Sequence, residues 1–331
     1  MKSVNKDLRL LMLAQHLETF AKLENKSKGI ISDSIHLDFN KHKGHIVIGG
    51  LVHGNEVGSL PGILQIIQDL VDKKISYGGK ISFFLGNKKA SIENKRFLEE
   101  DLNRSFSFSE NKIKSYEKQR AEEIKKLLNT CDLFLDFHQT NKPCLEPFYI
   151  FAMHSISYSW ARAIGCCKIF VTRRANTPYS SEGMCSDEYV RTLNKPGITL
   201  ELGQQGFFTN ATNTCKQAII NSMQLMDLVH LKKRHIQNLA RKKNELKILQ
   251  MIYSEKFKTK QSKLVKEFIN LEKVTNGQLI GEFKQGQDFY APQDGYILFP
   301  QYPMRDENGF VIETLPSHIY TLAKDSNRLL K

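Results

Sequence analysis

Apolar and polar positions along this chain follow two periods, one helical and one strand-like, that alternate for the first two-thirds of its length. Residues 4–23 repeat apolar side chains at helical spacing, and a polar stretch ending in Gly29 closes the helix. Residues 35–39 read as an outer strand. Residues 44–52 are apolar on both faces, which predicts a strand in the middle of a parallel sheet. Positions 57, 60, 63, 64, 67, 70 and 71 are apolar at helical spacing, and Pro61 falls in the first turn, where proline is tolerated. Further strands are expected at 80–85, 132–138, 148–153, 168–172 and 197–203, with helices at 116–129, 157–163 and 213–230. Strands alternating with helices predict an α/β/α domain around a mixed, mostly parallel sheet, whose ligands bind at the carboxyl ends of the strands.

After residue 230 the texture changes. Between 231 and 266 there are twelve Lys or Arg against two Glu, which accounts for most of the formal charge of +13. That run reads as a solvated helix face and basic helical linker; a nucleic-acid site is the less favoured reading, because no array of base-stacking aromatics accompanies it. Residues 277–300 contain GQLIGEF, GQDFYAP and DGYILFP, short apolar runs punctuated by Gly, Pro and Asp. The expected organisation is therefore an α/β domain over 1–230, the basic linker over 231–266 and a small β-rich C-terminal domain over 267–331.

Hydrophobic residues at 40% and charged residues at 25% are ordinary for a folded chain of this size. No segment approaches the run of about 18 apolar residues that a spanning helix needs, so no membrane partner is expected. The N-terminal stretch, interrupted by Asp7, Arg9 and Gln15, reads as an amphipathic helix and not as a signal peptide. The six Cys include no C-x-x-C pair, which argues against a zinc ribbon or a thioredoxin-type motif and for reduced thiols in the cytoplasm.

The candidate chemistry sits at strand ends. His53 and Glu56 follow the apolar run IVIGGLV at a spacing that lets both reach one metal ion from a tight turn, although about one such pair is expected by chance in this composition. DLFLDFH delivers His138 at the end of a second strand, and GITLELG delivers Glu201 near the end of another. Two imidazoles and one carboxylate are the ligands of an open catalytic zinc site, and zinc lowers the pKa of water to about 7. A further carboxylate is then needed to move the water's proton to a leaving nitrogen, and Glu201 is the candidate. Taken singly, His138 reads as a structural histidine, Glu201 as a strand-end ion-pair partner, and Arg96, Asn103 and Arg104 as loop capping and surface charge. Their joint arrangement favours the metal site.

HGNE at 53–56, the Arg-Phe of KRF at 96–97, DLNR at 101–104, DFH at 136–138 and ELG at 201–203 occur in order between residues 46 and about 206. Together they resemble the succinylglutamate desuccinylase and aspartoacylase family, a branch of the zinc carboxypeptidase superfamily. The resemblance implies a zinc-carboxypeptidase-like fold and one Zn2+ held by His53, Glu56 and His138, with Glu201 as general base. It also implies that Arg96 stabilises the oxyanion and that Asn103 and Arg104 hold a substrate carboxylate. Asp101 would hydrogen-bond the first zinc histidine and fix its tautomer, and Arg191, ten residues before Glu201, matches a further substrate-binding arginine by spacing alone. Tyr290 or Tyr296 is a candidate for a phenol over the site. Asn87-Lys88 departs from the family's usual Asn-Pro.

The expected function is a cytoplasmic zinc hydrolase that deacylates an N-acyl amino acid or a related small amide. A carboxypeptidase acting on a peptide or cell-wall fragment uses the same ligands and the same Asn-Arg clamp, and a non-catalytic binding protein would use the basic segment instead. Homo-oligomerisation is left open.

Overall fold

Ile46, Val47 and Ile48 are wholly buried in a computed structural model that describes residues 2–107, 115–173 and 177–326. The outermost residues of the expected first and last domains, 1 and 327–331, lie outside the described residues. The chain begins with α1 (Lys2–Glu24), β1 (Ser34–Asp38), β2 (His45–Gly50), α2 (Leu60–Val71), β3 (Lys80–Leu85) and α3 (Lys88–Ile92). A 3-10 turn (Leu102–Arg104), α4 (Tyr116–Leu128), β4 (Leu133–Thr140), β5 (Phe148–Ile150), α5 (Ser155–Ile164) and β6 (Ile169–Thr172) follow. Next come α6 (Ser186–Thr192), β7 (Gly197–Gln204), α7 (Thr209–Leu231), α8 (Ile236–Arg241) and β8 (Lys247–Glu255). The C-terminal strands are β9 (Lys263–Leu264), β10 (Lys273–Val274), β11 (Leu279–Glu282), β12 (Asp288–Tyr290), β13 (Gly295–Leu298) and β14 (Tyr320–Asp325).

The large sheet runs β1-β3-β2-β4-β7-β5-β6-β8-β14-β13-β10. At its centre β3, β2, β4 and β7 are parallel neighbours, so the carboxyl ends of β2, β4 and β7 share one edge. The pairing of β5 with β7 is antiparallel and sets Phe148 opposite Glu201. Strand alternation divides the core into two layers. Ile46, Ile48, Leu133 and Leu135 face α2 and α7, while Val47 and Phe134 face Ile124 and Leu128 of α4 and Val190 of α6. In α2 the helical apolar period buries Leu60, Ile63, Leu64, Ile67 and Leu70 against the sheet.

The expected helical linker is corrected by β8, which pairs with β6 in parallel and with β14 in antiparallel fashion inside residues 231–266. Flanking lysines at 242, 243, 247, 256 and 258 conceal the apolar stretch around Ile248, Leu249, Met251 and Ile252 that makes the strand. The C-terminal region is β-rich. Its strands β9, β11 and β12 form a separate antiparallel sheet, while β14, β13 and β10 extend the large one. Among the described residues no helix is long and apolar enough to cross a membrane.

One buried histidine outside the candidate site ties the start of β2 to its neighbours. His45 is 2.8 Å from Ser82 Oγ through Nε2 and 3.2 Å from the Thr130 carbonyl through Nδ1. Burial lowers its pKa from 6.5 to about 4. A depressed folded-state value means that the folded chain disfavours the charged ring, so the associated stability is present above pH 6.5 and is lost as pH falls towards 4. The loss should be on the order of 2–3 kcal/mol. Urea denaturation of the wild type and of His45→Asn, each at neutral pH and near pH 4, should show the wild type losing more stability on acidification than the variant; equal losses would contradict this assignment.

Candidate metal centre

The turn after β2 is held open for chemistry by backbone packing. Gly54 lies so close to α3 that a Cβ there would come within 2.4 Å of the Ala90 carbonyl carbon and the Ser91 nitrogen, so glycine alone fits. The Gly54 amide donates to Arg96 O (3.0 Å), tying the HGNE turn to the loop that carries Arg96. Asn87 caps α3 by accepting from Ala90 N (3.1 Å), and Lys88 takes the first helical position, where proline is equally at home. Glu117, wholly buried on α4, accepts from Asn87 Nδ2 (2.9 Å) and from Leu98 N (2.7 Å). It thereby shapes the loop between residues 93 and 101, a role no motif announced.

His53, Glu56 and His138 are all buried, and one ligand atom from each lies within 4.8 Å of the others, so the group could hold a metal ion. His53 Nδ1 is 2.9 Å from Glu56 Oε1, His138 Nδ1 is 2.8 Å from Glu56 Oε2, and the two Nδ1 atoms are 3.1 Å apart. The far side of each ring faces a carboxylate: His53 Nε2 is 3.1 Å from Asp101 Oδ1 and His138 Nε2 is 3.0 Å from Asp136 Oδ2. A carboxylate accepts and does not donate, so Asp101 and Asp136 keep a hydrogen on each Nε2, and Nδ1, which faces Glu56, is the atom whose proton a cation would displace to gain a lone pair. Two imidazole Nδ1 atoms and a carboxylate aimed at one buried point are a donor set that fits a divalent cation.

The electrostatics agree. Burial alone would raise the Glu56 carboxyl and lower the His138 imidazole. Instead His53 and His138 hold Glu56 far below the usual carboxylate range, and Asp136 and Glu56 hold His138 well above the usual imidazole value. Asp101, opposed by burial, is likewise held far down by His53 and Arg96. The cluster is built around positive charge, which protons supply or a cation replaces.

Asp136 was not picked out by the sequence reading. It is fully buried, its Oδ2 accepts from Ser186 Oγ at the start of α6, and strand alternation places it two residues before His138 on the same face of β4. That period-two relation within DFH was the available signal.

Glu201 lies opposite His138 in the β4–β7 register, and its Oε2 is buried with no hydrogen-bond partner. Burial, then the charge of Glu56, pushes its pKa up to about 8 against the pull of His138 and Arg96. Arg96 donates to Asp101 Oδ2 through Nε (3.1 Å), with Nη2 3.0 Å from the same oxygen and Nη1 3.4 Å from Glu56. Asn103 accepts from Ser186 N (3.0 Å), and its amide nitrogen lies 3.4 Å from His138 Nε2. Arg104 donates to Asn103 O (2.6 Å) and to Cys185 Sγ (3.2 Å), leaving a buried Nε without a partner. The Tyr179 ring stands 5.0 Å from the Arg104 guanidinium carbon and 5.2 Å from that of Arg173. Burial raises the Tyr179 hydroxyl to about 12, with Arg104, Glu201 and Arg96 near enough to bear on it.

Other expected residues are placed elsewhere. Arg191 is turned to Asp187 (2.5 Å) and to the Gly197 carbonyl (3.2 Å) at the start of β7, with its guanidinium 5.8 Å from the Phe151 ring. The i, i+4 ion pair within α6 holds it there, and no contact joins it to the cluster among the described residues. Tyr290 is exposed with its hydroxyl 3.4 Å from Asp288, and the Tyr296 hydroxyl is taken by Lys247 and Asp325. Neither reaches the cluster; Tyr179, on the segment before α6, is the phenol beside Arg104.

The chain is thus a mixed α/β protein with a His-Glu-His group that could hold a metal ion at the carboxyl edge of its central parallel strands. Residues 43–226 match the succinylglutamate desuccinylase/aspartoacylase catalytic domain, and the chain belongs to that family. A succinylglutamate desuccinylase of Shewanella frigidimarina is 36% identical over 67 residues, 20% of this chain and 20% of that relative. A probable aspartoacylase of Prochlorococcus marinus is 31% identical over 108 residues, 30% of this chain and 35% of that relative. These matches thus span only a fifth to about a third of the curated relatives' length. The crystal structure of a succinylglutamate desuccinylase/aspartoacylase from Rhodobacter sphaeroides shares the fold with a TM-score of 0.67 at 15% identity, covering 89% of each chain.

If Asp136 orients His138, Asp136→Asn should weaken divalent-metal binding about 10- to 100-fold. Competition between the protein and a chromophoric chelator for zinc checks this, and an unchanged affinity would contradict it.

Proposed function

We propose that this protein is a zinc-dependent amide hydrolase that removes the acyl group from an N-acyl amino acid. The observation that carries the reading is the partnerless buried Oε2 of Glu201, one strand away from the inward-facing Nδ1 atoms of His53 and His138. Zinc held by His53, Glu56 and His138 would act as a Lewis acid towards the acyl carbonyl and make water nucleophilic at neutral pH.

The remaining steps fall to the chain's own groups. Glu201 takes the proton of the attacking water and returns it to the leaving amine nitrogen; burial raises its carboxyl above the usual carboxylate range, which brings it closer to neutral pH and strengthens it as a proton acceptor. Arg96, anchored through Nε and Nη2 on Asp101, offers Nη1 to the oxygen on which charge develops. Arg104, whose Nε has no partner, binds a substrate carboxylate, with the Asn103 amide beside it and the Tyr179 ring against the guanidinium. Asp101 and Asp136 keep both imidazoles in the tautomer that the metal requires.

Glu201→Gln should lower kcat on N-succinylglutamate or an N-acylaspartate by on the order of a hundredfold or more while leaving zinc content unchanged. A variant with full activity would contradict the proton-shuttle role. Exhaustive chelation should abolish turnover and added zinc restore it; turnover confined to peptides with a free carboxyl terminus would assign the site to a carboxypeptidase instead.

A further inference from the structure

In the basic segment Lys247, Lys263 and Lys266 pair with Asp325, Glu282 and Glu272, but two triplets of cations around α8 do not. Lys232, Lys233 and Arg234 follow the last turn of α7, and Arg241, Lys242 and Lys243 close α8; all six are exposed, and none has a carboxylate within ion-pair distance among the described residues. Of the acidic residues nearby, Glu245 faces Arg162 (3.8 Å). Elsewhere exposed lysines do find partners, as Lys74 does on Asp72 and Lys95 on Glu93. Since α8 rises only about 9 Å, the two triplets form one field of charge.

The same helix end shows apolar surface. Leu228 is 37% exposed and Leu231 46%, and they line a groove of about 310 Å³ with Gln224, Asp227 and Lys232. Asp227 accepts from His42 Nε2 (2.8 Å) and from Gly78 N (3.0 Å) and makes no ion pair with a lysine among the described residues. No Phe, Tyr or Trp is exposed from 232 to 264 among the described residues; the one exposed ring there is the imidazole of His235. A single imidazole is a poor stacking platform for successive bases, whereas leucines beside lysines match an interface of acyl chains and anionic headgroups.

The patch is also far from the metal cluster. The His230 ring stacks on His42 at 4.8 Å, and a Cβ on Gly44 would meet His230 Nε2 at 2.6 Å, so α7 ends at the amino end of β2. The cluster lies beyond the carboxyl end of the same strand, about 17 Å or more away at roughly 3.3 Å per residue. We infer that the end of α7 and α8 form a peripheral docking surface for an anionic lipid bilayer, with Leu228 and Leu231 entering the headgroup layer while the metal cluster remains open to soluble substrate.

Flotation of the full-length protein with vesicles tests this. The protein should bind vesicles containing phosphatidylglycerol and ignore pure phosphatidylcholine, and binding should fall as salt rises. The triple variant Lys232→Glu, Arg234→Glu, Lys242→Glu should weaken vesicle binding on the order of a hundredfold. The same charge change at Lys256, Lys260 and Lys284 should cost far less, and Leu228→Gln with Leu231→Gln should cost roughly tenfold. Unchanged circular dichroism and hydrolytic rate would show that the triple variant is folded. Absence of binding to anionic vesicles, equal losses from the two triple variants, or binding to duplex RNA in place of vesicles would each overturn the inference.

Discussion

Two buried imidazole rings with centroids 4.7 Å apart can serve one cation only if both turn a lone pair to it. That orientation is set from behind. Asp101 and Asp136 each hold an Nε2 hydrogen, and each is itself fixed, Asp101 by Arg96 and by the Asn103 backbone amide, Asp136 by Ser186. A carboxylate as deeply buried as Asp136 would cost several kcal/mol without a positively charged or hydrogen-bonded partner. The ligand residues and their backing groups are therefore one electrostatic unit, and the charge at its centre is what makes the buried acids tolerable.

The fold supplies this unit by register. Parallel pairing of β2, β4 and β7 brings the turn after β2 and the carboxyl-terminal halves of β4 and β7 to one edge. The Cα register of His138 with Glu201 sets the Glu201 carboxyl one strand from the His-Glu-His group. The loop between residues 93 and 104 then closes the site from the side, gathered by Glu117 from below and by α6 through Ser186 and Cys185. Core packing and site geometry are thus coupled through α4 and α6, which cover the same face of the sheet.

The apolar runs that make β2, β3, β4 and β7 were legible because strands buried on both faces leave continuous hydrophobic stretches, and the motifs at their ends carried the ligand set. What escaped was hidden by mixed signals. β8 is framed by lysines that make its neighbourhood read as a charged linker. Asp136 is embedded in an apolar strand where a single acid has no motif of its own. Arg191 stands at the expected distance from Glu201 along the chain, but a partner one helical turn away, Asp187, competes for it and wins. Tyr179 belongs to a segment without periodicity, and only its tertiary neighbours give it meaning.

The central claim is that carboxylate backing of Nε2 leaves Nδ1 of both histidines as the metal-binding atoms. A crystal structure of the zinc-loaded protein tests it directly. One ion ligated by Nδ1 of His53, Nδ1 of His138 and the carboxylate of Glu56, with Asp101 and Asp136 still on the Nε2 atoms, is the predicted result; an ion bound through Nε2, or bound away from these three residues, would contradict it.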